Sequence, residues 1–123
     1  MRNAVSFGCG TKMDGFWFEG RHYDLDAHGH LRDSGQWSPA LGRALALRDD
    51  IDLGREHWWL IEFVRDYHQT YGTPPLMRVL VKALREHRDD PGLGSRELYR
   101  LFADSPVKQA CKYGGLPPPE WCI

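Results

Sequence analysis

Apolar residues alternate with polar ones near the start of the chain and then recur every three to four positions over the rest. In Phe16-Trp17-Phe18-Glu19-Gly20-Arg21-His22-Tyr23, aromatic and β-preferring residues flank a Glu-Gly pair, which predicts two short strands joined by a tight turn. Asp26-Ala27-His28-Gly29 reads as a second turn and His30-Leu31 as a third short strand, with the β portion ending before Trp37. Ser38-Pro39 then opens a helix to about Arg48, burying Leu41, Ala44 and Leu45. A second helix runs from about Arg55 to Tyr71, with Leu60, Phe63, Val64, Tyr67 and Tyr71 on one side and Gly72 as its stop. Thr73-Pro74-Pro75 starts a third, carrying Leu76, Val79, Leu80, Ala83 and Leu84 and broken by Asp89-Asp90-Pro91-Gly92. Ser95 caps a short fourth helix containing Leu98, Leu101 and Phe102. Ser105-Pro106 opens a fifth, which carries Cys111 and fails at Gly114-Gly115. The expected fold is α+β and predominantly helical: an N-terminal β-hairpin and about five helices, the second and third arranged like a helix-turn-helix.

The final residues, Cys111 to Ile123, have a different character. Two glycines followed by Pro117-Pro118-Pro119 describe a hinge and then a stiff polyproline stretch, with Cys122 next to the end. This divides the chain into residues 1–14 as a disordered extension or residues foreign to the native protein, 15–110 as the domain and 111–123 as a mobile arm. Such an arm offers the domain little to bury, so its removal after Gly114 is expected to leave stability nearly unchanged. Eleven residue steps separate Cys111 from Cys122, so full extension spans at most roughly 36 Å. A disulfide between them needs Cα atoms about 4.4–6.8 Å apart and hence a fold-back that the glycines permit. A stray surface thiol is the plainer reading of Cys122, set against the chemical liability of exposed thiols.

Composition narrows the chemistry. The chain has 123 residues, one domain by size, and a formal net charge of −1, so no global field draws it to nucleic acid or a membrane. Five Trp, five Tyr and five Phe are expected to supply much of the core. There is neither an apolar run of membrane-spanning length nor a secretory signal pattern, which makes the cytoplasm the expected location. Three cysteines without zinc-type spacing argue for thiol chemistry over a disulfide scaffold, and Cys9 reads as incidental. His22, His28 and His30 beside Asp24 and Asp26 could suggest a metal site, but solvated turn residues explain them better. His57 reads as a packing residue, and His87-Arg88-Asp89 resembles a kinase loop by chance only. Serine-triad, P-loop and dinucleotide motifs are absent, so the chain is not read as an autonomous enzyme, and no cofactor is expected. Arg78, Lys82 and Arg85 align on one face of the third helix. They could be a solvated face or a groove-reading surface, but acidic residues outnumber basic ones, so no tight nucleic-acid binding is expected.

The runs Leu98-Tyr99-Arg100-Leu101-Phe102, Pro106-Val107-Lys108-Gln109-Ala110-Cys111-Lys112, Gly115-Leu116-Pro117 with Pro119, and Cys122 closely resemble the C-terminal signature of the DsrC/TusE family. The resemblance extends upstream through Gln36-Trp37, Glu56-His57-Trp58, Phe63-Val64-Arg65-Asp66, Pro75, Arg78, Leu80, Lys82-Ala83 and Gly94-Ser95-Arg96. Ser105, Gly114 and Glu120-Trp121 depart from the usual residues without touching the thiols. The resemblance implies a sulfur carrier in which Cys122 accepts sulfur and Cys111 then attacks it, giving an intramolecular di- or trisulfide. Its partners would be a siroheme sulfite reductase or sulfurtransferase proteins, with a membrane-associated disulfide reductase to restore the thiols. Having both thiols favours the DsrC type over a TusE-like persulfide relay to tRNA thiolation. Arg78 and Lys82 match recurrent family positions, and facing the arm they would stabilise anionic sulfur, since nearby cations favour a thiolate.

Overall fold

The computed structural model describes residues 15–119. The extension expected over 1–14, with Cys9, lies outside the described residues, as does 120–123, with Cys122. Strands β1 (Gly15–Phe18) and β2 (Arg21–Asp24) pair antiparallel with Phe16 opposite Tyr23 and Trp17 opposite His22. Glu19 and Gly20 both take positive φ, 51° and 77°, the backbone sense that matches the twist of a two-residue hairpin. The third strand expected at His30-Leu31 does not form; Leu31 makes one isolated bridge to Leu25. The Asp26 carboxylate instead accepts the N–H groups of His28 and His30 at 2.8 and 2.9 Å, and the Asp26 N–H donates to His30 O at 2.8 Å. A side-chain-closed turn thereby takes the donors that a strand ladder would need.

Among the described residues, a 3-10 turn (Ser34–Gln36) leads to five α-helices: α1 (Pro39–Arg48), α2 (Arg55–Tyr71), α3 (Met77–Arg88), α4 (Ser95–Leu101) and α5 (Pro106–Tyr113). Ser38 and Ser105 cap α1 and α5, accepting the N–H groups of Leu41 at 3.2 Å and Lys108 at 3.3 Å, each ahead of a first-turn proline. The expected starts of α3 and α4 are revised. Thr73 and Pro74 each precede a proline and are held out of helical geometry, and Leu76 is still extended, so α3 begins at Met77. Gly94, not Ser95, occupies the N-cap of α4. At the start of α2, His57 Nδ1 accepts the Gly54 N–H at 3.0 Å, which makes Nε2 the donor to Leu101 O at 3.0 Å. One histidine thus caps α2 and ties it to the end of α4.

The core is mainly aliphatic, contrary to the expectation drawn from the aromatic count. Leu25, Leu41, Leu45, Leu60, Ile61, Val64, Leu80, Leu84 and Leu98 are buried, while Phe102, Tyr113 and Tyr23 are the buried aromatic residues among those described. On α2 the buried stripe is Leu60, Ile61 and Val64; Tyr71 is 66% exposed. Residues four apart advance by about 40° around a helix, so the series Trp59, Phe63, Tyr67, Tyr71 winds from half-buried positions at the edge of the core to the surface. Its members stack on one another, with centroids 5.9, 6.2 and 4.4 Å apart. Arg88 joins three helices by bonding Glu56 at 3.0 Å and Glu97 at 3.2 Å.

Candidate functional site at the root of the two-cysteine segment

α5 packs chiefly against α2, α1 and α4, and it buries Val107, Ala110, Cys111 and Tyr113. Cys111 has no exposed surface. The helix ends where expected, with Gly114 as C-cap. Gly115 follows in the left-handed region at φ 75°, and the Leu116 N–H donates to Cys111 O at 2.9 Å. This is the six-to-one bond of a Schellman turn, and it reverses the chain directly over Cys111.

Gly114-Gly115, expected to be a hinge, is packed on both residues. Gly114, Gly115, Leu116 and Pro119 are all buried. A Cβ on Gly115 would lie 2.5 Å from Trp37 side-chain atoms, and one on Gly114 would lie 2.7 Å from Ala110 O and 3.2 Å from Ile61. The two residues are small so that neighbours can approach.

Three side chains from separate parts of the chain then bond the carbonyls of this turn. Trp37 Nε1 donates to Tyr113 O at 2.8 Å. Arg65 Nη1, on α2, donates to Gly114 O in a short contact. His30 Nδ1 lies 3.0 Å from Leu116 O, and since a carbonyl only accepts, Nδ1 carries the proton. The Arg65 guanidinium also lies over the Trp37 ring, 3.9 Å from its centroid, a cation–π contact that gains strength from desolvation. Burial works against the Arg65 charge, and neighbouring Asp66 favours it. Gly42 on α1 makes room for this arrangement, since a Cβ there would lie 2.4 Å from Tyr113 O and 2.9 Å from Trp37 Nε1. On the far side of α5, Asp49 Oδ2 accepts from Lys112 Nζ and Tyr113 OH, each at 2.8 Å. Burial pushes the Asp49 carboxyl up, but those two bonds outweigh it and hold the pKa below its usual value. Burial and the bond to Asp49 push the Tyr113 phenol up, so it remains a donor.

His30 gives this site an expected pH dependence. Burial lowers its pKa, outweighing the bond to Leu116 and the nearby Asp26 charge that raise it, while Lys112 and His28 lower it further. A histidine depressed in the fold contributes stability that is complete above its unfolded pKa of about 6.5. That stability is lost as the pH falls from there towards the folded value, because the unfolded chain takes up the proton first. The thermal midpoint should therefore drop between pH 7.5 and 5.5, and His30→Asn should flatten that slope even though it lowers the midpoint at every pH.

The other residues expected to take part in chemistry fall elsewhere. Arg78 and Lys82 are exposed on α3 and make no hydrogen bond or ion pair among the described residues. Cys122, which they were expected to serve, lies outside those residues. The histidines of the hairpin region go separate ways: His22 pairs with Asp24 at 3.5 Å, His28 is exposed and His30 is buried. No group of three or more His, Cys, Asp or Glu side chains that could hold a metal occurs among the described residues. The residues gathered at the segment root, His30, Trp37 and Arg65, carry no local sign of a shared site in the sequence. Trp37 and Arg65 stand within the family-like runs, but nothing near them marks their partners across 76 and 49 residues.

Comparison with known proteins is consistent with this geometry. The family described as "DsrC like protein" matches residues 17–123. A sulfurtransferase TusE of Yersinia pseudotuberculosis is 46% identical over 106 residues, covering 86% of this chain and 98% of its own. The oxidized gamma-subunit of the dissimilatory sulfite reductase (DsrC) from Archaeoglobus fulgidus superposes with a TM-score of 0.79 at 35% identity, covering 89% of this chain and all of its own. Allochromatium vinosum DsrC gives a TM-score of 0.78 at 35% identity over 90% of this chain and 99% of its own.

Proposed function

The chain belongs to the DsrC-like family, and from that premise we propose that it is a sulfur-carrier protein working through Cys122 and Cys111. The observation that supports the reading is the turn after α5: Leu116 bonds back to the main-chain carbonyl of buried Cys111, so the segment leading to Cys122 starts at the backbone of the residue whose thiol it is to meet. In the loading step, the Cys122 thiolate attacks the outer sulfur of a donor persulfide, forming a Cys122 persulfide and releasing the donor thiolate. Cys111 then attacks the Cys122 sulfur; the new S–S bond closes the ring, and the transferred sulfur leaves as hydrosulfide. A trisulfide requires sulfur two electrons more oxidised, which a sulfite reductase would hand over part-reduced from sulfite: S(OH)2 condenses with the Cys122 thiol to –S–S–OH and water, and Cys111 attack on the outer sulfur expels a second water. Partner proteins would be a sulfite reductase or a sulfurtransferase, and Arg78 and Lys82 would supply cations to Cys122 on docking.

Mass spectrometry of the protein after mild oxidation tests the pairing. The expected product is a monomer lighter by two hydrogens, with Cys111- and Cys122-containing peptides linked. The similarity to the TusE sulfurtransferase favours a second reading, a relay that uses Cys122 alone and passes persulfide onward towards tRNA thiolation. Intermolecular Cys122 dimers, or bonds to Cys9, with no internal link would decide for that relay.

A further inference from the structure

We propose that Arg65, Trp37 and His30 form a carbonyl clamp that positions the root of the thiol-bearing segment for closure of the Cys111–Cys122 bond. The proposal rests on the two-thiol reading above and adds to it the residues that make closure favourable. Three features support it. The clamped carbonyls are those of Tyr113, Gly114 and Leu116, so donors from three regions converge on four consecutive residues. The same turn binds Leu116 back to Cys111 at 2.9 Å, fixing the origin of Pro117-Pro118-Pro119 beside that residue. Beyond Leu116 the geometry leaves little slack. A polyproline run carries the chain roughly 9 Å over three residues, and the three residues to Cys122 span at most roughly 11 Å. Cys122 can return to Cys111 from a root fixed nearby; from a loose root the same stiff run could point anywhere.

The clamp acts through geometry more than through charge. The Arg65 guanidinium lies over the Trp37 ring, 3.9 Å from its centroid, while its Nη1–H donates to Gly114 O. Lysine keeps the cation but not the plane or the fork of donors. Trp37→Phe keeps an aromatic ring beneath Arg65 but removes the Nε1–H donor to Tyr113 O together with part of the indole's volume. These three side chains are positioning residues, since neither the sulfur nor the thiols need touch them.

The test equilibrates the full chain with reduced and oxidised glutathione, where the dithiol gives up two protons and two electrons as glutathione disulfide becomes two glutathiones. Arg65→Met, Arg65→Lys and Trp37→Phe should each shift the equilibrium at least tenfold towards the dithiol, about 30 mV for this two-electron couple. Alkylation of Cys122 by iodoacetamide, measured in a Cys111→Ala background, should stay within twofold of the parent. Hydrogen exchange at the Leu116 amide should speed up at least tenfold in Arg65→Met, a readout independent of the thiols. Folded variants with an unchanged glutathione equilibrium, whatever their thermal midpoint, would show that the clamp only stabilises the fold. A parental equilibrium in Arg65→Lys alongside a shifted one in Arg65→Met would replace positioning with charge. If the parent protein forms no internal bond, the two-thiol reading fails first and the clamp's role in closure fails with it.

Discussion

Cys122→Ala should abolish sulfur loading from a persulfide donor, whereas Cys111→Ala should load normally and stall as a persulfide on Cys122. The asymmetry follows from where the two thiols stand. Cys111 has no exposed surface and sits on a helix packed against three others, so a bulky donor protein cannot bring its persulfide to it without opening the core. Cys122 stands next to the last residue of the sequence, three positions beyond Pro117-Pro118-Pro119. After loading, the order reverses. On the proposed reading the buried thiol would become the attacking group, because the transferred sulfur would reach it from within the same chain, at the high effective concentration of a short tether. Without Cys111 no internal nucleophile remains, and the persulfide should persist until an external thiol removes it. Intact-mass measurement after exposure to a persulfide donor reads both outcomes: no added sulfur in Cys122→Ala and one retained sulfur in Cys111→Ala. Equal loading of Cys122→Ala and the parent would place the accepting thiol elsewhere and defeat the assignment.

Much of this architecture is legible in the residue pattern, and what is not shares one cause. Ser38-Pro39, Ser105-Pro106 and Gly72 mark helix ends because a cap, a proline or a left-handed glycine acts on its immediate neighbours. The two thiols stand out for the same reason, by their place in a Gly- and Pro-rich tail. The failures arise where long-range contacts decide the outcome. His30 looks like one more solvated turn histidine until the fold brings Leu116, 86 residues away, to its Nδ1. The α2 aromatics look like a core stripe because a four-residue period is close to the helical repeat, and only the accumulated rotation shows that Tyr71 faces out. Gly114-Gly115 is compatible with a hinge or with close packing, and sequence alone does not separate the two, since both require the absence of a side chain.

Substitution separates them, and the protein carries its own control. Gly72 and Gly115 adopt nearly the same backbone conformation, φ 76° and 75°, so Ala at either position incurs the same left-handed strain, about 1–2 kcal/mol. Their surroundings differ completely. A Cβ at Gly72 meets nothing within 4 Å, while one at Gly115 meets three Trp37 atoms at 2.5 Å. Trp37 has little freedom to move away, being held by its bond to Tyr113 O and by Arg65 over its ring. Overpacking of this kind adds roughly 1–3 kcal/mol. Gly72→Ala should therefore lower the thermal midpoint by about 5 °C and Gly115→Ala by about twice as much, at about 4 °C or more per kcal/mol for a domain of this size. Removal of everything after Gly114 should also destabilise the fold, because it strips Leu116 from its buried place and takes away the groups that His30 and Cys111 O bond. That reverses the tolerance expected from composition alone. Thermal unfolding of the three variants followed by circular dichroism decides the matter. Equal losses for the two glycine variants, together with an unchanged midpoint for the truncation, would restore the hinge and leave the root of the segment unpacked.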